Sequence, residues 1–188
     1  MSTEFSRLPS DLPVPVDDGA ADHLPGSAVP DVALPSAQGG EMSLADAAQG
    51  LVVVYVYPRT GTPGVPAPEG WDDIPGARGC TPQSCAFRDA QQELARHGAS
   101  LIGISTQTPG EQAEFAQREH IPYPLLSDHE LVLAERMRLP TFQAGGLQLY
   151  KRLTFVAEAG RIVKLFYPVF PPDRNADDVL AWLEARAD

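Results

Sequence analysis

Apolar residues fall along this chain in two kinds of block. Short continuous runs alternate with stretches in which apolar side chains recur every three or four residues. These are the patterns of buried strands and of amphipathic helices. The clearest run is Leu51-Val52-Val53-Val54-Tyr55-Val56-Tyr57, closed by Pro58, which predicts a central strand over residues 51–57. Ser100-Leu101-Ile102-Gly103-Ile104-Ser105 predicts a second core strand, and Leu125-Leu126 a short third. Two more strands are expected at residues 151–157 and 161–167, around Glu158-Ala159-Gly160. Nearer the N-terminus, residues 30–34 and 41–44 flank Gln38-Gly39-Gly40 and predict a small hairpin. A helical turn at 44–49, ended by Gly50, should follow it.

The helical pattern is strongest over residues 81–97, with Thr81 as N-cap, Pro82 in the first turn and Gly98 as the stop. Its inward stripe is Phe87, Ala90, Gln91, Leu94 and Ala95. Further helices are expected at 109–119, opened by Pro109 with Phe115 inward, at 130–138, and at 176–187 with Val179, Leu180 and Leu183 on one face. Residues 59–79 are so rich in Gly and Pro that they must be loop. The pattern assigns no element to residues 139–150. Alternating strands and helices imply an α/β sandwich, and the late hairpin makes its sheet mixed.

At 188 residues the chain fits one domain with extra segments. Residues 29–188 form the expected domain, and residues 1–28, rich in Pro, Asp, Gly and Ala, read as a loosely ordered N-terminal arm. The formal net charge of −11 argues against nucleic acid and against anionic membrane surfaces. No apolar run is long enough to span a membrane, and residues 1–29 lack a signal pattern. The default location is cytoplasmic, where two cysteines are unlikely to be a structural staple.

Those two cysteines, Cys80 and Cys85, lie where the Gly/Pro-rich loop gives way to the helix. A thiolate is the reactive form of cysteine, and the free N–H groups of a helix start favour it. Strand, loop, cysteine and helix in that order suggest redox chemistry on a thioredoxin-like fold. His23, His97, His120 and His129 form no pair with ligand spacing, so no metal is expected, and no cofactor either.

The segment Gly79-Cys80-Thr81 through Phe87-Arg88-Asp89 resembles the active-site helix of peroxiredoxins, closest to the peroxiredoxin Q or bacterioferritin comigratory protein branch. Ser100 to Ser105, Ile121-Pro122-Tyr123-Pro124-Leu125-Leu126-Ser127-Asp128, and Arg152-Leu153-Thr154-Phe155-Val156 with Gly160-Arg161-Ile162 are similar to the segments that follow in that family. The departure is in the active loop. Tyr57-Pro58 and Thr62-Pro63-Gly64 match the family, but residues 65–79 intervene before Cys80. Read as an insertion, Thr62 keeps the family's threonine slot. Read without one, that slot falls on Ala77 and the proline slot on Asp73.

The resemblance implies a thiol-dependent peroxidase acting on hydrogen peroxide or organic hydroperoxides. Cys80 would attack the peroxide and become a sulfenic acid. Arg152 would stabilise thiolate and developing charge, Thr62 would hydrogen-bond the thiolate or peroxide, and Pro58 would shield the pocket from water. Cys85 would resolve the sulfenic acid as an intramolecular disulfide, with a thioredoxin-like or other thiol reductant closing the cycle. Residues five apart in a helix lie ~7.5 Å apart in rise and ~140° round the axis, so the first turn must unwind for that bond. Residues 65–79, with Trp71 and Ile74 as anchors, would border the pocket and shape access to it. Two other classes fit the bare pattern: a protein thiol–disulfide oxidoreductase, which prefers Cys-x-x-Cys, and a silent thioredoxin-fold binding module.

Overall fold

A computed structural model of the protein describes residues 7–187. Its elements, in chain order, begin with β1 (Ala33–Pro35), β2 (Glu41–Ser43), α1 (Leu44–Ala47) and β3 (Val52–Val56). The helix carrying both cysteines, α2 (Cys80–Arg96), comes next, then β4 (Ser100–Ser105), α3 (Pro109–Arg118), β5 (Leu125–Ser127) and α4 (Val132–Met137). The chain closes with β6 (Thr141–Ala144), β7 (Leu147–Tyr150), β8 (Leu153–Glu158), β9 (Arg161–Phe166) and α5 (Asn175–Ala187). The central sheet has the order β5-β4-β3-β8-β9. β3 runs parallel to β4 and β4 to β5, while β8 is antiparallel to β3 and β9. The sheet is mixed and lies between helices, a thioredoxin-like α/β fold as the sequence pattern implies.

The unbroken apolar run of β3 follows from its position. Val52, Val54 and Val56 face one core layer, shared with α1, α4 and the N-terminal segment. Val53, Tyr55 and Tyr57 face the other, under α2, α3 and α5. A strand covered on both faces has no polar side to show.

Three local differences from the expected elements bear on the site. First, α2 starts at Cys80 and not at Thr81; its N-cap is Gly79, with φ 108°. Its stripe holds Phe87 and Leu94 as expected, but Ala95 is exposed, and burial continues N-terminally through Gln83 and Ser84. Second, residues 141–150 form the β6–β7 hairpin, turned by Gly145 and Gly146 at φ 57° and 75°. Paired positive φ angles are what a two-residue hairpin turn requires. Arg152 therefore sits between β7 and β8, just ahead of the strand it was expected to join. Third, α4 is shorter than expected. It is capped from a distance by buried Asp128, whose carboxylate accepts from the Leu133 and Ala134 N–H groups, both at 3.0 Å.

Of the N-terminal segment expected as a loose arm, residues 1–6 lie outside the described residues. The remainder lies against the domain. Ala21 and Leu24 are in the core, the His23 ring bonds the Met137 carbonyl at 2.8 Å, and Asp18 pairs with Lys151 at 2.6 Å. Two small apolar side chains within a polar stretch anchor it where bulk composition suggests disorder. Among the described residues no helix is long and apolar enough to cross a membrane.

Candidate active site

The site is built at the N-terminal end of α2. Cys80 is the first helical residue and is only 3 % exposed. Gly79 holds it there. A Cβ at Gly79 would stand 2.4 Å from Pro172 Cγ and 2.8 Å from Leu8 Cδ2, and the positive φ independently favours glycine. The Cys80 thiol faces the Ala77 carbonyl at 3.7 Å. On its other side the Nη2 of Arg152 lies 3.2 Å from the sulfur.

Arg152 is 3 % exposed and tightly held. Nη2 also approaches the carbonyls of Gly76, Ala77 and Arg78 at 3.2, 3.1 and 3.2 Å, so its two hydrogens are shared among four acceptors. Nη1 donates to Gln83 Oε1. Gln83, fully buried on the next turn of α2, donates in turn to Asn175 Oδ1 at 2.9 Å, and Thr154 donates to the same oxygen at 2.6 Å. The chain Thr154–Asn175–Gln83–Arg152–Cys80 thus links β8, α5 and α2. Every other hydrogen-bond partner of the guanidinium is a neutral oxygen, and its Nε has no partner among the described residues. A buried cation among neutral dipoles lacks a counter-ion. Among its partners only Cys80 Sγ is a group that can ionise.

Cys80 lines a cavity of about 50 Å³. Thr62 lines it together with Cys80, as do Val65, Pro66, Pro68 and Trp71 of the inserted segment. The upstream part of the loop is pinned to the β4–α3 connection: the Thr60 N–H and hydroxyl donate to Gln107 Oε1 at 2.8 and 3.1 Å. Arg118 of α3 donates to the Gly61 carbonyl at 2.9 Å. Pro58 is buried one residue upstream of the lining and does not itself line the cavity.

The two residues weighed for the family's threonine slot meet the site in different ways. Ala77 presents its backbone carbonyl and brings no hydroxyl. Thr62 brings a hydroxyl to the cavity wall, with no hydrogen bond to Cys80 among the described residues.

Cys85 is one and a half turns further along the same helix. It is half-buried, and its thiol donates to Glu119 Oε2 at 3.8 Å. Burial pushes this thiol above its ordinary value; the Arg88 charge opposes the shift and the Glu119 carboxylate adds to it. Both cysteines are free thiols in this structure. The sequence marked Cys80 and Cys85 by their position at the loop-to-helix junction, and the family resemblance added Arg152, Thr62 and Pro58. Neither route named Gln83, Asn175, Gln107 or Arg118 as part of the site.

A buried cysteine at a helix start, faced by a buried arginine over a small cavity, is the arrangement of a thiol enzyme that reduces peroxides. The Redoxin family model matches residues 24–180, and the chain belongs to that family. Peroxiredoxin Q of Gentiana triflora is 33% identical over 183 residues, 94% of this chain and 76% of that protein. A putative peroxiredoxin of Mycobacterium tuberculosis is 35% identical over 162 residues, 85% and 96% of the two chains. Among solved structures, peroxidoxin BcpB of Mycobacterium tuberculosis aligns with a TM-score of 0.70 at 33% identity, covering 87% of this chain and 98% of its own. The expected likeness to the peroxiredoxin Q and bacterioferritin comigratory branch holds, and thiol-dependent peroxide reduction is the activity that goes with it.

Proposed function

We propose that this protein is a peroxidase of the two-cysteine, single-chain type, with Cys80 as the attacking thiolate and Cys85 as the resolving thiol. The observation that carries the reading is the Arg152–Cys80 contact of 3.2 Å inside a buried, otherwise neutral setting. In the first half-reaction the Cys80 sulfur attacks the terminal peroxide oxygen. An S–O bond forms, the O–O bond breaks, and the leaving oxygen departs as water or alcohol after taking up a proton. Arg152 stabilises the thiolate before attack and the charge spreading over the two oxygens during it. Thr62 offers its hydroxyl to the peroxide from the cavity wall, and buried Pro58 backs the lining loop against water.

In the second half-reaction the Cys85 thiolate attacks the Cys80 sulfenic sulfur and expels its oxygen as water once protonated. With both residues in α2, the first turn must open for the sulfurs to meet. A thioredoxin-like or other dithiol reductant then reduces the Cys80–Cys85 bond, and a cytoplasmic setting supplies such thiols. The test is thiol-dependent consumption of hydrogen peroxide. Cys80→Ser should abolish turnover, whereas Cys85→Ser should keep a single stoichiometric turnover and then stop. Wild-type turnover in Cys80→Ser would end this reading.

A further inference from the structure

The inserted segment does more than bulge out of the active loop. With the β6–β7 hairpin it forms a small core of its own, in which Trp71 and Ala77 pack on Ala144 and Leu149. The Trp71 ring meets Phe142 at 6.1 Å between centroids. Pro68 rests on the hairpin turn, where a Cβ at Gly145 would stand 3.1 Å from it. Backbone bonds close each end: Val65 N–H to the Thr62 carbonyl and Trp71 N–H to the Pro68 carbonyl, both 3.1 Å. Arg78 Nη1 donates to both carboxylate oxygens of Asp72, at 3.0 and 2.9 Å. Pro66 and Pro68 fix two more backbone angles between these points. The segment is a braced roof, and Val65, Pro66, Pro68 and Trp71 line the cavity that Cys80 also lines.

About 50 Å³ accommodates a few atoms beyond the sulfur. Hydrogen peroxide fits. So does the terminal end of an unbranched alkyl hydroperoxide, whose chain can trail out along the apolar wall. In-line attack fixes the O–O axis, and the carbon behind the leaving oxygen has to share the cavity with Val65, Pro66, Pro68 and Trp71. A carbon bearing three substituents is wider than one carrying a single chain, and it meets these side chains first.

Taking the peroxidase reading as its basis, we propose that residues 65–71 make Cys80 selective by width, admitting hydrogen peroxide and primary alkyl hydroperoxides and rejecting tertiary ones. The roof is a specificity element and carries no chemistry. Forcing volume into a braced, packed site costs enough to slow reaction by about tenfold or more.

The experiment compares second-order rates of Cys80 oxidation by hydrogen peroxide and by cumene hydroperoxide. It uses the full chain and a glycine variant, Val65→Gly, Pro66→Gly, Ala67→Gly and Pro68→Gly together. These residues are mostly exposed, so the fold is not at stake, and a thermal melt verifies it. Expected is a wild-type rate at least about tenfold lower with cumene hydroperoxide, a gap that the glycine variant narrows by raising the cumene rate alone. Trp71→Ala, read the same way, should narrow the gap from the other end of the roof. Equal wild-type rates for the two peroxides would overturn the selectivity and leave the peroxidase reading intact. A folded glycine variant that loses both rates together would overturn it too, since the segment would then hold the site and not filter it. If neither peroxide oxidises Cys80, the peroxidase reading itself falls.

Discussion

The guanidinium of Arg152 lies 3.2 Å from the sulfur of Cys80, although the two residues are 72 positions apart in the chain. Nothing else charged touches that guanidinium among the described residues. Replacing it with methionine keeps much of the volume and removes the cation at the point where charge develops. Loss of one such preorganised group typically costs about 2.7–4 kcal/mol, or ~10²–10³ in rate. Arg152→Met should therefore slow peroxide attack by that order in stopped-flow measurements. An unchanged second-order rate would take Arg152 out of the site.

Gln83 and Asn175 act on the sulfur only through Arg152. Gln83→Leu removes the acceptor of Nη1 and leaves Asn175 Oδ1 with Thr154 alone. A lost buried hydrogen bond of this kind is worth roughly 1–3 kcal/mol. The variant should lose about tenfold or more in peroxide rate, and Asn175→Leu should lose less. A merely structural role would lower the melting temperature and leave the rate of the folded fraction alone.

Much of this arrangement was legible in the chain. The run Val52–Val56 could only be a doubly covered strand, and the loop-to-helix position of Cys80 marked it for thiol chemistry. What was not legible came from tertiary contacts. Thr81 is the better N-cap by local rules, but the helix is capped two residues earlier at Gly79, where Pro172 and Leu8 leave no space for a side chain. Asn175 and Gln107 are amides with no periodic signature, joined to the site from distant segments. The β6–β7 hairpin did leave a trace, two glycines between Thr-Phe-Gln-Ala and Leu-Gln-Leu-Tyr, but so short an alternation is weak beside the strong core runs. Ala21 and Leu24 were hidden by the polar residues around them.

Gly79→Ala tests how firmly the helix start is held. The new methyl group would meet Pro172 and Leu8 within van der Waals distance, and the backbone there has φ 108°. Strain of this kind costs about 1–3 kcal/mol. For a chain of this size that means a melting temperature lower by roughly 2–10 °C. A melt indistinguishable from wild type would show that the junction yields easily.

The Cys80–Cys85 bond should appear in peroxide-treated protein as a loss of two hydrogens on one peptide. In Cys85→Ser, sulfenic and then sulfinic acid should accumulate at Cys80. Disulfide linked only between chains would contradict the single-chain cycle.

Burial raises the Cys85 thiol, so at neutral pH little of it is the attacking thiolate. Raising the pH supplies more of that form. The sulfenic acid should therefore disappear faster as pH climbs from about 7 to about 9, a window that approaches the raised thiol from below. Rapid-quench trapping of the sulfenic acid across that range gives the profile. A decay that slows with rising pH would contradict a thiolate attack by Cys85.

The central claim is that peroxide oxygen is transferred to the Cys80 sulfur. It is tested most directly by treating reduced Cys85→Ser protein with one equivalent of hydrogen peroxide, trapping sulfenic acid with dimedone and mapping the adduct by mass spectrometry. The account requires a single adduct on the peptide that contains Cys80, formed at the rate at which peroxide is consumed. An adduct-free Cys80 peptide while peroxide is consumed would contradict it.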